Sequence, residues 1–172
     1  MTHPTTYQPI SDWDTLQFTQ FITLCTHECQ PLFGLIRLQR HHQLWTPSPW
    51  GQAVIAGLEA IQEAHEQALL EDFVVMPNHI HMIALFRGCD RRLSHNFVTY
   101  CKHFLAQAIR DVSPTRQPVW AKSFHAQTIH STHTHTALSE SIRTHHERWP
   151  YDSLYCSSHP TLVAEPHRPW HP

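Results

Sequence analysis

His79 and His81 stand two apart in the stretch Asp72 to Phe86, DFVVMPNHIHMIALF. The run is apolar and rich in β-branched residues, and Pro77 and Arg87-Gly88 bound its second half, which predicts a buried strand with an abrupt start. Alternate side chains of a strand share a face, so the two imidazoles point the same way. Paired imidazoles in apolar surroundings cost desolvation free energy unless something occupies the space between them, and a divalent cation is the usual occupant. Two ligands do not complete a metal site, however, and a bare His-x-His is more often two separately satisfied core histidines.

Such a pair needs a sheet to carry it and helices to cover it. The hydrophobic patterning predicts strands over Phe18 to Cys25 and Leu32 to Leu38, then a polar, proline-bearing loop over His41 to Pro49. Gly51 to Ala68 reads as a helix, with Val54, Ile55, Leu58 and Ile61 at helical spacing. Leu69 to Met76 precedes the histidine strand, and Asn78 marks a tight turn between the two. A second helix is expected over Arg91 to Val112, ended by Ser113-Pro114. Val119 to Ile129 should contain another strand, and Leu138 to Arg148 a third helix stopped by Pro150. Elements in this order predict an α+β fold, with helices packed on an antiparallel sheet.

Composition bounds the class. At 172 residues with 41% apolar content the chain can bury a core without disulfides. No apolar run is long enough to cross a bilayer, and the first residues carry no basic segment followed by an apolar one, so no export signal is visible. Five cysteines with no Cys-x-x-Cys pair indicate neither a disulfide framework nor a zinc ribbon. A reducing cytoplasm is the simplest setting. The formal charge of −2 conceals an asymmetry: residues 1–86 carry two basic and eight acidic side chains, and residues 87–148 carry nine and four. The positive segment, with Arg91, Arg92, Lys102, Lys122 and Arg143 among its members, could present a phosphate-binding face or simply a solvated helix surface. Histidine is over-represented, at 18 residues. The tract HSTHTHTALSES from His130 to Ser141 reads as a turn and a helix start rather than as a metal-storage tract, because Ser and Thr supply N-cap candidates before ALSESI.

Met76-Pro77-Asn78-His79-Ile80-His81 resembles the HUH motif of the REP-associated tyrosine transposases. The resemblance extends to QFTQFITLCTHECQPLFG at Gln17 to Gly34, to Leu93, Phe97 and Lys102 on a lysine-bearing helix, and to Pro118-Val119-Trp120 followed by Ser123-Phe124-His125. It implies a ferredoxin-like sandwich over residues 17–149, preceded by an arm (1–16) and followed by a Pro/His-rich tail (150–172). It also implies a divalent metal, Mg²⁺ or Mn²⁺ with Zn²⁺ as an alternative, held by the paired histidines and a polar residue of the last helix. The expected partners are single-stranded or hairpin DNA and a second copy of the chain in a homodimer. No membrane partner is expected. In the family a tyrosine of the last helix attacks the phosphate and becomes covalently linked to the DNA.

At that helix the sequence departs from the family pattern Tyr-Ile-x-x-Asn-Pro. The matching residues are Ser141-Ile142-Arg143-Thr144-His145-His146. Ser141 thus stands where the tyrosine is expected, and His145, four residues on, where the third metal ligand would project from the same helix face. A serine hydroxyl is shorter and far less acidic than a phenol and needs a dedicated base. Tyr151 and Tyr155, beyond Pro150, and Tyr100 on another helix are substitute nucleophiles, and DNA-contacting residues are expected at Arg91, Arg92, Lys102, Lys122 and Arg143. Two classes of function stay open: a transposase-like protein with impaired strand cleavage and transfer, and a non-catalytic DNA-binding protein derived from a transposase. A metal-dependent hydrolase is the third.

Overall fold

The computed structural model describes residues 17–39, 42–64, 68–88, 90 and 92–155. Four strands form one antiparallel sheet: β1 (Gln17–Cys25), β4 (Ala68–Val75), β5 (His79–Arg87) and β6 (His125–Ile129), in the order β4-β5-β1-β6. Two further strands, β2 (Gly34–Gln39) and β3 (His42–Pro47), pair as a separate hairpin. The helices are α1 (Pro49–Ala64), α2 (Arg92–Val112) and α3 (Thr132–Arg143). Strand and helix alternate so that α1 links β1 to β4 and α2 links β5 to β6, which is the ferredoxin-like sandwich expected from the sequence.

Each side of the sheet has its own apolar layer. Ile22, Leu24, Leu70, Ile80, Met82, Ala84 and Phe86 meet Val54, Leu58 and Ile61 of α1 and Phe97, Cys101, Leu105 and Ile109 of α2. On the opposite side Phe21, Val74 and Ile83 meet Ile129, Leu138, Ile142 and Trp149. The period-2 alternation of β1 and β5 assigns the histidines to the second side. In the β1–β5 register Thr23 is paired with His81 and Cys25 with His79.

The start of α1 is fixed by Ser48, whose Oγ accepts the Gly51 N–H at 3.0 Å and donates to the Leu32 carbonyl at 2.7 Å. Pro49 follows as the first helical residue, where its missing N–H costs nothing. The helix therefore begins before Gly51, and Ala68, expected as its last residue, instead opens β4. The other differences from the sequence reading have equally local causes. The expected loop over His41 to Pro49 contains β3, because Gln43 to Thr46 pair residue by residue with Leu35 to Leu38 and the Trp45 ring stacks on His146 at 5.1 Å. The third helix starts at Thr132 rather than Leu138. Ser131 caps it by accepting the Thr134 N–H at 3.1 Å, and His135 is buried against Glu71 at 2.6 Å. A capped terminus and a tertiary contact override the low helix propensity of the His-Thr alternation. The helix also ends at Arg143, and the chain continues as a 3-10 segment, His145–Tyr151, that contains Pro150 rather than stopping at it.

Strand β4 carries one irregularity. Its pairing with β5 shifts between Leu70 and Asp72, leaving Glu71 as an extra residue. Before the shift Leu70 faces α1 and α2; after it Asp72 and Val74 face α3. Glu71 binds His135, while Asp72 accepts from Ser139 and lies 3.9 Å from the Arg143 guanidinium. A bulge of this kind re-aims the side chains that follow it.

Candidate metal centre

His79 and His81 are each buried, at 0% and 9% exposure, and their Nε2 atoms approach to 3.1 Å. Both outer nitrogens are engaged. His79 Nδ1 lies 2.8 Å from Asn78 Oδ1, and His81 Nδ1 lies 2.9 Å from Thr23 Oγ1. The Asn78 amide has one orientation only, because its Nδ2 donates to the Cys29 and Leu154 carbonyls at 3.2 and 2.8 Å. Asn78 Oδ1 must then accept from His79 Nδ1–H, which leaves a lone pair on the His79 Nε2 of the neutral ring. A hydrogen-bond partner behind each imidazole is the arrangement that orients metal-ligating histidines.

Two more side chains close the site. His145 is at 4.7 Å from His81 and 5.9 Å from His79, ring centre to ring centre. Its Nε2 contacts Asp152 Oδ2 at 2.7 Å, and the same oxygen lies 3.5 Å from His79 Nε2. One ligand atom from each of His79, His81, His145 and Asp152 lies within 4.8 Å of the other three. His145 does not project from α3 beside Ser141 as expected, since α3 has already ended; the 3-10 segment brings it in. Asp152 was not singled out from the sequence. It is placed by the turn that follows the 3-10 segment: its N–H donates to the Trp149 carbonyl at 3.1 Å, its Oδ1 accepts the Leu154 N–H at 2.7 Å, and the Leu154 carbonyl is the one held by Asn78.

The surroundings oppose protonation of His79 and His81 and favour charge on the Asp152 carboxylate. Burial pushes the His79 ring down to about 4, although Asp152 pulls the other way. Burial and the neighbouring His79 and His145 push His81 to about 3. Burial alone would raise Asp152, but the hydrogen bonds from His145 and the Leu154 N–H and the nearby imidazoles hold it at about 2. A neutral His79 imidazole with a fixed tautomer and a neutral His81 ring beside an ionised carboxylate fit a divalent cation.

The other residues picked out from the sequence are scattered over the fold. Ser141, on α3, has its Oγ 2.9 Å from Arg148 Nη2. Tyr151 is 88% exposed, whereas Tyr155 packs edge-on against Trp149 at 5.2 Å, and Trp149 lies 6.0 Å from His79. Lys102 donates to the carbonyls of Ala121 and Ser123 at 2.8 and 3.0 Å, and Trp120 Nε1 returns a bond to the Lys102 carbonyl at 3.0 Å. The lysine thus ties α2 to the segment before β6, and burial lowers its pKa. Arg92, Lys122 and Arg143 are exposed. Arg91 lies outside the described residues, as do the 1–16 arm and the tail from residue 156. His146 does not join the cluster; its Nε2–H donates to the Val75 carbonyl at 2.9 Å.

No family model matches the chain, and no curated protein matches it in sequence. Among solved structures, a REP-associated tyrosine transposase bound to a REP hairpin is similar over 84% of this chain and 72% of its own, with 14% identity and a TM-score of 0.51. The fold is transposase-like. A protein of Deinococcus radiodurans R1 assigned as a transposase is also similar, at 15% identity over 84% of this chain and 97% of its own, with a TM-score of 0.49. Among the described residues, no helix is long and apolar enough to cross a membrane.

Proposed function

We propose that this chain binds single-stranded hairpin DNA at a divalent-metal site of the HUH type, with strand cleavage and transfer impaired because Ser141 stands at the position of the nucleophilic tyrosine. The observation that carries the reading is the convergence of His79, His81, His145 and Asp152 on one face of a ferredoxin-like sheet, in a fold similar to that of a hairpin-bound transposase. A metal ion held there would polarise a scissile phosphate and stabilise the oxygen that leaves it. Asn78 keeps the His79 lone pair aimed inward, and Thr23 holds the His81 ring in orientation. Asp152 supplies the negative charge that a divalent cation requires. Arg92, Lys122 and Arg143 offer exposed cations for the DNA backbone.

Impaired cleavage follows from what surrounds Ser141. Its hydroxyl is met by the Arg148 guanidinium, which donates and cannot take a proton. The serine is therefore not activated by this partner. Tyr155 is better placed than Tyr151 to substitute, since it packs on the Trp149 ring beside His79.

The wild-type protein should retard a single-stranded hairpin oligonucleotide in Mn²⁺ without forming a denaturant-resistant adduct, and Ser141→Tyr should form one. An adduct from the wild type would overturn the reading of impaired cleavage and direct attention to Tyr155. Absence of retardation by both proteins would sink the DNA-binding reading itself. We further propose a homodimer, because β4 and β6 are left as the two edges of the sheet and unpaired edges are a route to pairing between copies. Light scattering at micromolar concentration should give twice the chain mass of 20.1 kDa; a monomer mass would count against it.

A further inference from the structure

His146 lies outside the metal centre, next in the chain to His145, and it is held from two sides. Its Nε2–H donates to the Val75 carbonyl at 2.9 Å, and its ring stacks on the Trp45 ring at 5.1 Å with 14° between the planes. The N–H of the same Val75–Met76 peptide donates to the His79 carbonyl of β5 at 2.8 Å. A trans peptide points its C=O the opposite way, so the Val75 carbonyl faces the open edge of β4. His146 takes it there, one strand away from Ile80, which pairs with Val75 and stands between His79 and His81. Trp45 comes from the β2–β3 hairpin, which among the described residues shares no ladder with the four-stranded sheet. Its cross-strand partner Ile36 packs into the apolar layer of Val74 and Trp149. Gly34 makes room for the indole, since a Cβ there would come within 2.8 Å of Trp45 Cη2.

We propose that Trp45 and His146 are positioning residues for the metal centre: clamped between the hairpin and the edge of β4, His146 sets the direction of the His145 side chain. The two histidines are consecutive in the 3-10 segment, where three residues make a turn and neighbouring side chains diverge by about 120°. His146 and Trp149, three residues apart, therefore share the face turned to β4 and its apolar layer, and His145 is directed to His79, His81 and Asp152. Rotation of the segment about its own axis is thus the movement that would swing His145 away from the other three. The Val75 bond and the Trp45 stack oppose that rotation one residue from the ligand. The consequence for metal affinity rests on the proposed metal site, whereas the clamp itself is present without the ion.

The metal-free full chain gives the first reading. In the wild type the His145 Nε2–H, held by Asp152 Oδ2 at 2.7 Å, should give a ¹H–¹⁵N signal protected from exchange with water. His146→Ala should lose that protection, while the His79 Nδ1–H held by Asn78 keeps its own. Trp45→Ala should act in the same direction, and Trp45→Phe, which keeps a ring over His146, should behave as the wild type does. A His145 signal equally protected in His146→Ala overturns the positioning, and so does loss of both signals together, which marks general loosening. Calorimetry with Mn²⁺ gives the second reading. His146→Ala should weaken binding roughly tenfold, the lower end of what loss of an orienting partner costs. Adding Trp45→Ala to it should weaken binding little further, because residues that act through one contact are not additive. Losses that multiply would show that Trp45 does not act through His146 and would overturn the clamp. Should His146→Ala not fold, His146→Phe keeps the stack and removes only the Val75 bond, and the same two readings apply to it. Wild-type protein that binds no Mn²⁺ would sink the metal site and leave the exchange reading to decide the clamp.

Discussion

Replacing Asp152 by asparagine will weaken Mn²⁺ binding by about 100-fold or more, the scale on which a metal site responds to loss of its designed contacts. Asparagine keeps an oxygen to accept the Leu154 N–H, so the turn that carries residue 152 is retained. What goes is the only carboxylate among the four converging groups. Zn²⁺ should bind more tightly than Mn²⁺ in the wild type, because three imidazoles favour it. His81→Ala should lose the ion as well, although it also strips Thr23 Oγ1 of its partner, so its thermal stability must be measured beside its affinity. Calorimetry giving wild-type affinity in either variant would exclude this site.

Acid will unfold the metal-free protein in a window set by the two buried histidines. Both rings have folded values below the unfolded value of 6.5, at about 4 for His79 and about 3 for His81. Above pH 6.5 neither ring is protonated in either state, and the histidines leave stability unchanged. As pH falls below 6.5 the unfolded chain takes up protons that the folded chain refuses, so stability declines until the pH passes the folded values. Each ring contributes about 1.4 kcal/mol per pH unit within that window. A loss of several kcal/mol is a large share of a typical domain's 5 to about 15 kcal/mol. Asp152 works in the same direction at lower pH, its contribution being present above 3.8 and lost as the pH approaches 2. Denaturant midpoints measured from pH 7 to 4 in a chelator should fall steeply, and His79→Asn should reduce the slope. Equal midpoints at pH 7 and 4.5 would contradict the burial of neutral rings.

The sheet and its histidine pair were legible in the sequence because their causes are local. Alternation fixed β1 and β5, Pro77-Asn78 fixed the turn, and the side-chain period placed His79 and His81 together. Asp152 was illegible for the opposite reason. It enters through a 3-10 segment and a turn whose geometry depends on Trp149 and on the contact of Leu154 to Asn78, 76 residues apart in the chain, and no periodicity records such a contact. His145 lies near the pair, but not through the α-helical spacing from Ser141, which the chain does not use there. The β3 strand and the early start of α3 share a cause. Trp45 against His146, and His135 against Glu71, are long-range contacts that decide the conformation of segments whose own preferences are weak.

The extra residue in β4 has a consequence for how this sequence can drift. Because Glu71 shifts the alternation, Asp72 sits on the α3 side, while Leu70 remains on the α1 and α2 side. Substitutions at Glu71 would leave this parity in place, since the bulge counts residues and not their chemistry. Loss of the Glu71 codon would keep it too: Leu70 and Asp72 would become neighbours, still opposite Ala84 and Ile83 and on opposite faces, and the strand would run regular where it now bulges. What removal of Glu71 would cost is the His135 contact, while the β4–β5 pairing would survive it.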